Sequence, residues 1–303
     1  MSIRPVTSTS PAQPTMEGAG VHLHRAFGFQ NPEQMDPFLL FDDFRNDSPR
    51  DYLKGFPWHP HRGIETITYV LAGAVEHGDS LGNRGTLRGG DVQWMTAGSG
   101  ILHQEMPLGN AAGQMHGFQL WANLPANLKM TAPRYQDVKG RDIPEIVEDD
   151  GTVVKIIVGS FRGRTGPVDG IAADPLYLDI FVPEGRRKRF AVDTRRQAFA
   201  YVFDGAGSFR DAARPRGVLL EKEVAGQEVN IRDLSGNRTL VQFGAGDEVE
   251  VTAGPDGVRF LLVAGAPIQE PVAWHGPIVM NTQAELQQAM AELRNGTFIK
   301  PVH

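Results

Sequence analysis

Apolar and polar residues alternate along much of this chain with a period of two, the pattern of β-strands that bury one face. The segment 66–71 is rich in β-branched residues and ends at a glycine turn, and the segment 36–44 is a short apolar run with acidic ends. Turn sequences at 82–85 and 89–91 separate further strands. These patterns predict many short strands, which the 35 glycines and 21 prolines also favour.

The period changes near the C-terminus. Apolar residues at 285–293 recur at helical spacing, Asn281 or Thr282 can cap the start of a helix, and Asn295-Gly296 can end it. The chain is therefore predicted to be all-β with one short C-terminal helix.

An internal repeat indicates two copies of one β-domain. The sequence YVLAG at 69–73 is matched by YVFDG at 201–205, and the glycine-bounded segment 90–98 is matched by 246–254. We expect a loose polar arm at 1–19 and a first domain at 20–135. A linker with an added strand is expected at 136–172, and a second domain, ending in the helix, at 173–303.

Composition and charge narrow the function classes. The net charge of −6 and the pI near 5.9 give no basic footprint for nucleic-acid phosphates. Cysteine is absent, so disulfides are excluded and any metal must be held by nitrogen and oxygen ligands. We see no signal peptide at the N-terminus and no apolar run long enough to span a bilayer, so we expect a soluble cytoplasmic protein.

The candidate chemistry lies between residues 56 and 107. His59, His61 and Glu65 occupy odd positions in one segment, and His103 and Glu105 occupy odd positions in another. Because a strand sends alternate side chains to one face, all five groups converge if the two strands face each other across a barrel. Scattered surface histidines are the alternative, but two pairs at strand spacing bounded by glycine turns argue against it. Imidazole and carboxylate ligands suit Fe, Mn, Ni, Cu or Zn.

Strand parity permits either Glu65 or Glu105 as the carboxylate ligand. Glu65 lies about 13 Å beyond His61 along an extended strand, whereas Glu105 is only about 7 Å from His103. The pairs His59/His61 and His103/Glu105 can surround one metal ion with four ligands without a bend in either strand. The spacing therefore favours Glu105. We assign Glu65 a supporting role, orienting a histidine N–H.

Other histidines carry weaker signals. His22 and His24 could form a second metal clip but fit polar positions on a half-exposed strand, since no partner pair is nearby. His77 could line the site or be a polar residue near a turn, and His275 is interpreted as structural. The strand phase leaves open whether His116 or Gln119 points inward. Residues 173–273 contain no histidine, so the second copy cannot rebuild the site.

Longer motifs resemble those of the pirin family, whose members are bicupins. The motifs are DPFLLFDDF at 36–44, HPHRGIET at 59–66, GDVQWMTAG at 90–98, GILHQEM at 100–106, HGFQLW at 116–121 and HGPIVMN at 275–281. The resemblance implies two tandem cupin barrels of the double-stranded β-helix or jelly-roll type. It also implies that the first holds iron through His59, His61, His103 and Glu105, and that the second holds no metal.

The resemblance implies two functions. Bacterial pirins act as quercetin 2,3-dioxygenases, which predicts one Fe(II), a flavonol substrate and O₂, with Mn, Ni, Cu or Zn as other ions that suit the ligands. Glu105 would then be the catalytic base that accepts the flavonol hydroxyl proton. Trp94, Met95, Phe118 and Trp121 could supply apolar walls, but each is better interpreted as a core residue, because aromatic residues in small barrels mostly fill the interior. The alternative is a non-catalytic, iron- and redox-sensing pirin that regulates a protein partner, either a transcription co-regulator or a metabolic-enzyme binder.

Overall fold

A computed structural model describes residues 2–30, 32–209, 221–224, 227–230 and 234–300. In these residues the chain is almost entirely β-structure, as predicted. The strands up to residue 138 are β1 (Val6–Pro11), β2 (Gln13–Glu17), β3 (Val21–Phe27), β4 (Phe38–Asp43), β5 (Phe56–His61), β6 (Ile64–Ala72), β7 (Ala74–Asp79), β8 (Arg84–Arg88), β9 (Val92–Thr96), β10 (Ile101–Pro107), β11 (His116–Asn123) and β12 (Arg134–Val138).

The second half of the chain continues in the same way and ends in a helix. Its elements are β13 (Glu145–Val147), β14 (Val153–Val158), β15 (Ser160–Phe161), β16 (Arg164–Thr165), β17 (Leu176–Val182), β18 (Arg187–Ala191), β19 (Gln197–Phe209), β20 (Glu221–Val224), β21 (Gln227–Asn230), β22 (Ser235–Gly236), β23 (Thr239–Phe243), β24 (Glu248–Gly265), β25 (Ala273–His275), β26 (Ile278–Met280) and α1 (Gln283–Arg294).

The chain forms two compact units. The histidine unit comprises Gln13–Asp142 and Ile268–His303, and the second unit comprises Met1–Ala12 and Ile143–Pro267. This division differs from the expected boundaries at both ends of the chain. The segment expected to be a loose arm contributes β1, which pairs with β23, and β2, which pairs with β3. Pairing satisfies the backbone hydrogen-bonding groups of these polar segments.

The C-terminal segment belongs to the histidine unit rather than to the second domain. Its residues form a core cluster of their own, made of Ala273, Ile278, Met280, Leu286, Ala289 and Phe298. The helix α1 is capped as the sequence predicts. Thr282 accepts a hydrogen bond from the Glu285 amide in a capping box, and Asn295 caps the other end.

Two antiparallel sheets build the described part of the histidine unit. The larger sheet has the strand order β12-β9-β6-β11-β4-β3-β2, and the smaller has the order β5-β10-β7-β8. Side chains from both sheets, including Thr68 and Gln119 from the larger and His59 and Glu105 from the smaller, line one cavity. The alternation of side chains along each strand therefore places the candidate site between the two sheets.

The second unit repeats this plan around an apolar interior. Its main sheet has the order β1-β23-β19-β24-β17-β14-β13, with β18 paired to β24 and β22 to β19. The pairing of β6 with β9, in which Tyr69 lies opposite Val92, corresponds to that of β19 with β23, in which Tyr201 lies opposite Leu240. The predicted counterpart of 90–98 was therefore wrong, because residues 248–252 pair with β18 instead. Aliphatic and aromatic side chains such as Ile156, Leu178 and Phe260 fill its core. Within the described residues of the chain, no helix is long and apolar enough to cross a membrane.

Candidate metal centre

The two histidine segments form neighbouring strands rather than strands on opposite sides of a barrel. β5 and β10 pair antiparallel, with His103 opposite His59 and Ile101 opposite His61. The expectation of facing strands was wrong because the sequence shows alternation but not pairing partners. The parity argument still places the three imidazoles on one face, since neighbouring strands share their two-residue alternation.

The three imidazoles point their Nε2 atoms at one another. His59 Nε2 lies 3.0 Å from His61 Nε2 and 2.9 Å from His103 Nε2. Two metal–nitrogen bonds of about 2.1 Å at a right angle would put the nitrogens about 3.0 Å apart. The observed spacings therefore fit neighbouring positions on a single metal ion, and this group is the candidate metal cluster in the described residues.

The imidazoles are prepared to act as neutral ligands. His59 Nδ1 lies 2.8 Å from the carbonyl oxygen of Pro57, to which it donates, so its Nε2 carries the free lone pair. Burial lowers the pKa of His59. Burial also holds the pKa of His61 and of His103 well below the ordinary value, and the neighbouring imidazoles lower these two pKa values further. A metal would bind here without first displacing protons from these rings.

Glu105 contributes a buried carboxyl group to the same cavity. Burial raises the pKa of Glu105 to about 7, and the Thr68 hydroxyl, 3.1 Å from Oε1, opposes that rise. Thr68 Oγ1 also lies 2.7 Å from Gln119 Oε1. A hydroxyl has one proton, so it cannot donate to both oxygens. A protonated Glu105 that donates to Thr68 satisfies the chain of three groups.

The donor set fits a cation. No Lys or Arg side chain in the described residues forms an ion pair with Glu105, so this buried carboxyl group lacks a compensating positive charge. In this structure its oxygens lie outside the cluster of mutually close nitrogens. Three neutral imidazoles and one carboxyl group that shares their cavity are compatible with one transition-metal ion.

Glu65 lies in a different environment from Glu105. It belongs to β6, beyond the break at Arg62 and Gly63, and its Oε1 accepts a hydrogen bond of 2.7 Å from Thr96 Oγ1. It has the opposite parity to Thr68, which lines the cavity, so it lies on the other face of the sheet. Burial raises its pKa. Its partner is therefore a threonine, where the sequence suggested a histidine.

The cavity beside the imidazoles has a volume of about 840 Å³ and aromatic walls. Those walls include Phe27, Phe29, Phe56, Trp58, Trp121 and Trp274. Trp274 stacks on Phe29 with ring centroids 4.3 Å apart, and the edge of Trp121 meets the His61 ring at 5.1 Å. Trp58 and Trp274 are 52% and 43% exposed, so large apolar surfaces are open to a ligand entering the cavity.

Three of the four candidate wall residues are core residues, as preferred from the sequence. Trp121 lines the cavity, but Trp94 and Phe118 have the parity of Ile67 and Tyr69 and lie on the opposite face of the larger sheet. Met95 packs into a core cluster.

The other histidines in the described part of the chain lie outside the imidazole cluster. His22 and His24 alternate with Val21 and Leu23, which line the cavity, so they face the other way. His77 is buried opposite Glu105 and lies 3.0 Å, Nε2 to Nε2, from Gln93. The open question of strand phase is resolved for Gln119, which lines the cavity.

Sequence reasoning missed Thr68 as a polar neighbour of Glu105 and left open whether Gln119 points inward. Thr68 gave no signal, because it occupies an even position whereas all the candidate ligands occupy odd ones. Sequence reasoning also missed three residues of the C-terminal segment that line the cavity, namely Trp274, Gly276 and Pro277. No local pattern indicates that residues so far along the chain return to this site.

Comparisons with known proteins agree with the sequence motifs. The family profile described as Pirin matches residues 20–122, and the profile described as Pirin C-terminal cupin domain matches residues 177–299. A pirin-like protein of Caulobacter vibrioides is 44% identical over 299 residues, covering 98% of this chain and 100% of that protein. Pirin of Homo sapiens is 37% identical over 296 residues, covering 97% and 93%.

A solved structure extends the comparison to the fold. The crystal structure of quercetin 2,3-dioxygenase from Acinetobacter baumannii superposes with a TM-score of 0.83 at 28% identity, covering 98% of this chain and 99% of that one. Together with the match to a cupin domain, this similarity confirms the predicted fold of cupin-type barrels with a short C-terminal helix. With both profiles and full-length relatives in agreement, the chain belongs to the pirin family.

Proposed function

We propose that this protein is a metal-dependent dioxygenase of the pirin type that cleaves flavonols such as quercetin with O₂. The observation that carries the proposal is the convergence of three imidazoles in an open cavity that has aromatic walls and that the buried carboxyl group of Glu105 also lines. The similarity to the quercetin 2,3-dioxygenase of Acinetobacter baumannii supports it. His59, His61, His103 and Glu105 would hold the metal, for which we propose Fe(II).

The cavity suits a planar, polyphenolic substrate. Its volume of about 840 Å³ lies in the range of small-molecule sites, and its exposed tryptophans offer flat surfaces on which aromatic rings stack. Trp121 and Phe29 continue this surface inward to the His61 ring. The walls therefore bind the rings of a flavonol while its hydroxyl group approaches the imidazole cluster.

We propose that Glu105 also accepts the hydroxyl proton of the substrate. A carboxylate that lines the same cavity as the imidazole cluster lies within the space that a bound substrate would occupy. Thr68 Oγ1 and Gln119 Oε1 lie next to it and can stabilise either protonation state through hydrogen bonds. When bound, a divalent metal supplies Lewis-acid and redox chemistry toward the flavonol oxygen and O₂.

Anaerobic loading followed by admission of O₂ tests the proposal. Samples loaded separately with Fe(II), Mn(II), Ni(II) or Cu(II) are mixed with quercetin, and quercetin loss, O₂ uptake and CO release are followed together. The reaction inserts both atoms of O₂ and releases one carbon as CO, so the three quantities should be equal in at least one metal form. His103→Ala, which removes a ligand, should be folded and inactive.

Inactivity of all four metal forms in folded protein would refute the dioxygenase proposal. Loss of quercetin without equivalent O₂ uptake and CO release would also refute it, because it would indicate binding or autoxidation. The non-catalytic, metal-sensing alternative would then take its place.

A further inference from the structure

Arg62 occupies an unusual position for a buried arginine. It directly follows His61, at the corner where β5 ends and before β6 begins, and it is 2% exposed. Burying a guanidinium is costly unless its donors are paired, so its partners must be strong and well oriented. All of the partners described below come from the C-terminal segment of the same unit.

The side chain of Arg62 makes three contacts with that segment. Nη1 lies 2.7 Å from Glu292 Oε2 in α1, and Nη2 donates to the carbonyl oxygen of Phe298 at 2.8 Å. The guanidinium carbon sits 4.1 Å from the centre of the Phe298 ring. The planar guanidinium thus contacts a carboxylate, a backbone carbonyl and an aromatic face at the same time, which the ammonium group of a lysine could not do.

The backbone at the same corner is held by β26 and the residue before it. Arg62 forms a parallel bridge with Ile278, its amide donates to Pro277, and its carbonyl oxygen accepts from the Val279 amide at 3.0 Å. The corner that follows His61 is therefore fixed on both its backbone and its side chain. Pro277 also lines the cavity, so one segment supports the ligand and the wall.

We propose that Arg62 is a positioning residue for the metal centre, through which the C-terminal helix sets the orientation of His61 relative to His59 and His103. This inference rests on the proposed metal site and adds a determinant of its geometry. A ligand triad with nitrogen spacings near 3 Å tolerates little movement of one imidazole, because each bond angle at the metal depends on all three.

Arg259 offers a matched control in the second unit. It has a comparable set of partners, with Nε 3.0 Å and Nη2 2.7 Å from the Asp179 carboxylate and the guanidinium 5.1 Å from the Phe203 ring. Replacing it removes an arginine–carboxylate–aromatic arrangement that belongs to the second unit. Loss of stability alone can therefore be separated from an effect on the metal ligands.

The experiment measures Co(II) binding by the full-length protein. Arg62→Gln, Arg62→Lys and Arg259→Gln are compared by chelator competition and by the visible absorption spectrum of bound Co(II), which reports ligand geometry. Arg62→Gln should weaken Co(II) binding by roughly 10- to 100-fold, as loss of an outer support does, and should change the spectrum. Arg62→Lys should restore part of both, and Arg259→Gln should leave both unchanged.

An Arg62→Gln variant with wild-type Co(II) affinity and a wild-type Co(II) spectrum would overturn the inference. An equal loss of Co(II) affinity in Arg259→Gln would also overturn it. If Arg62→Gln does not fold, Phe298→Leu, which keeps the carbonyl acceptor and removes the ring, should show a smaller change in the same direction, and no change would refute the inference. Failure of the wild-type protein to bind Co(II) would instead refute the metal site itself.

Discussion

The Glu105 carboxyl group lies buried among uncharged side chains, and this setting governs how the site takes up a cation. Its pKa of about 7 reflects the cost of a charge without solvent or a cationic partner. A divalent ion at the three Nε2 atoms would lower that cost, because its charge stabilises the carboxylate. Metal binding and ionisation of Glu105 should therefore be coupled.

Metal affinity should consequently depend on pH in a defined direction. Below about pH 7 the carboxyl group of the metal-free protein holds a proton that binding must release, so affinity should rise by up to about tenfold per pH unit and then level off. The histidines contribute little to this rise, since their pKa values are already lowered. Chelator competition with Co(II) across the neutral range measures the profile. Glu105→Gln should flatten it, and an unchanged slope in that variant would assign the proton elsewhere.

The two buried glutamates should differ sharply in metal binding. Glu105→Gln removes the proposed carboxylate ligand and should weaken binding by more than the roughly 10- to 100-fold that loss of an outer partner costs. Glu65→Gln should leave affinity close to wild type, because the new side chain still accepts from Thr96 on the other face of the sheet. Side-by-side metal titrations of both variants decide this. A larger loss in Glu65→Gln would reverse the assignment of the carboxylate.

At the level of strands and helices, the sequence predicts what depends on local periodicity. The odd positions of His59, His61 and His103 share a face because strand alternation repeats every two residues. The capping box at Thr282 and Glu285 is similarly local, and it is present. These features needed no knowledge of which segments pair.

Pairing between distant segments could not be predicted in the same way. The sequence does not show that β5 lies beside β10, that β1 pairs with β23, or that the C-terminal segment packs onto the corner after His61. Those contacts are decided by the global packing of apolar faces and by backbone hydrogen bonding, which many registers satisfy locally. Domain boundaries drawn from the sequence differ from the observed units for that reason.

The corner after His61 gives a test at this scale. Gly63 has a φ of +74°, and the carbonyl oxygen of Val279 occupies the space that a Cβ would need. Gly82 has a φ of +89° with nothing within 4 Å of that space. Both alanine variants carry backbone strain of about 1 kcal/mol or more, but Gly63→Ala adds a clash with β26. It should therefore lower the free energy of unfolding by at least about 2 kcal/mol more than Gly82→Ala does.

Chemical denaturation of the metal-free variants measures this difference. Gly63→Ala should also weaken metal binding, since the backbone must shift close to His61, whereas Gly82→Ala should not. Equal destabilisation by the two substitutions would show that the C-terminal segment does not constrain this corner.

Across the whole chain, the histidine unit and the second unit have similar strand arrangements but different interiors. The histidine unit leaves a cavity between its sheets with polar groups directed into it, while the core of the second unit is closed by aliphatic and aromatic side chains. The strands β6 and β19, which carry the sequences YVLAG and YVFDG, pair in the same way with β9 and β23, so the different interiors arise from the side chains that the strands carry. The proposed metal chemistry is therefore assigned to the histidine unit, because a shared fold does not by itself imply a shared function.

This asymmetry predicts a stoichiometry of one tightly bound metal ion per chain. Residues 143–267 contain neither histidine nor cysteine, and the candidate cluster in the described residues is formed by His59, His61 and His103. Carboxylates alone bind first-row transition metals weakly compared with imidazole sites, so the second unit should not compete for the ion. Elemental analysis after gel filtration against a chelator should give about one ion per wild-type chain. The variant carrying His59→Ala, His61→Ala and His103→Ala should give none while remaining folded. A second tightly bound ion in the wild type, or an ion retained by the triple variant, would place a metal site outside the histidine cluster.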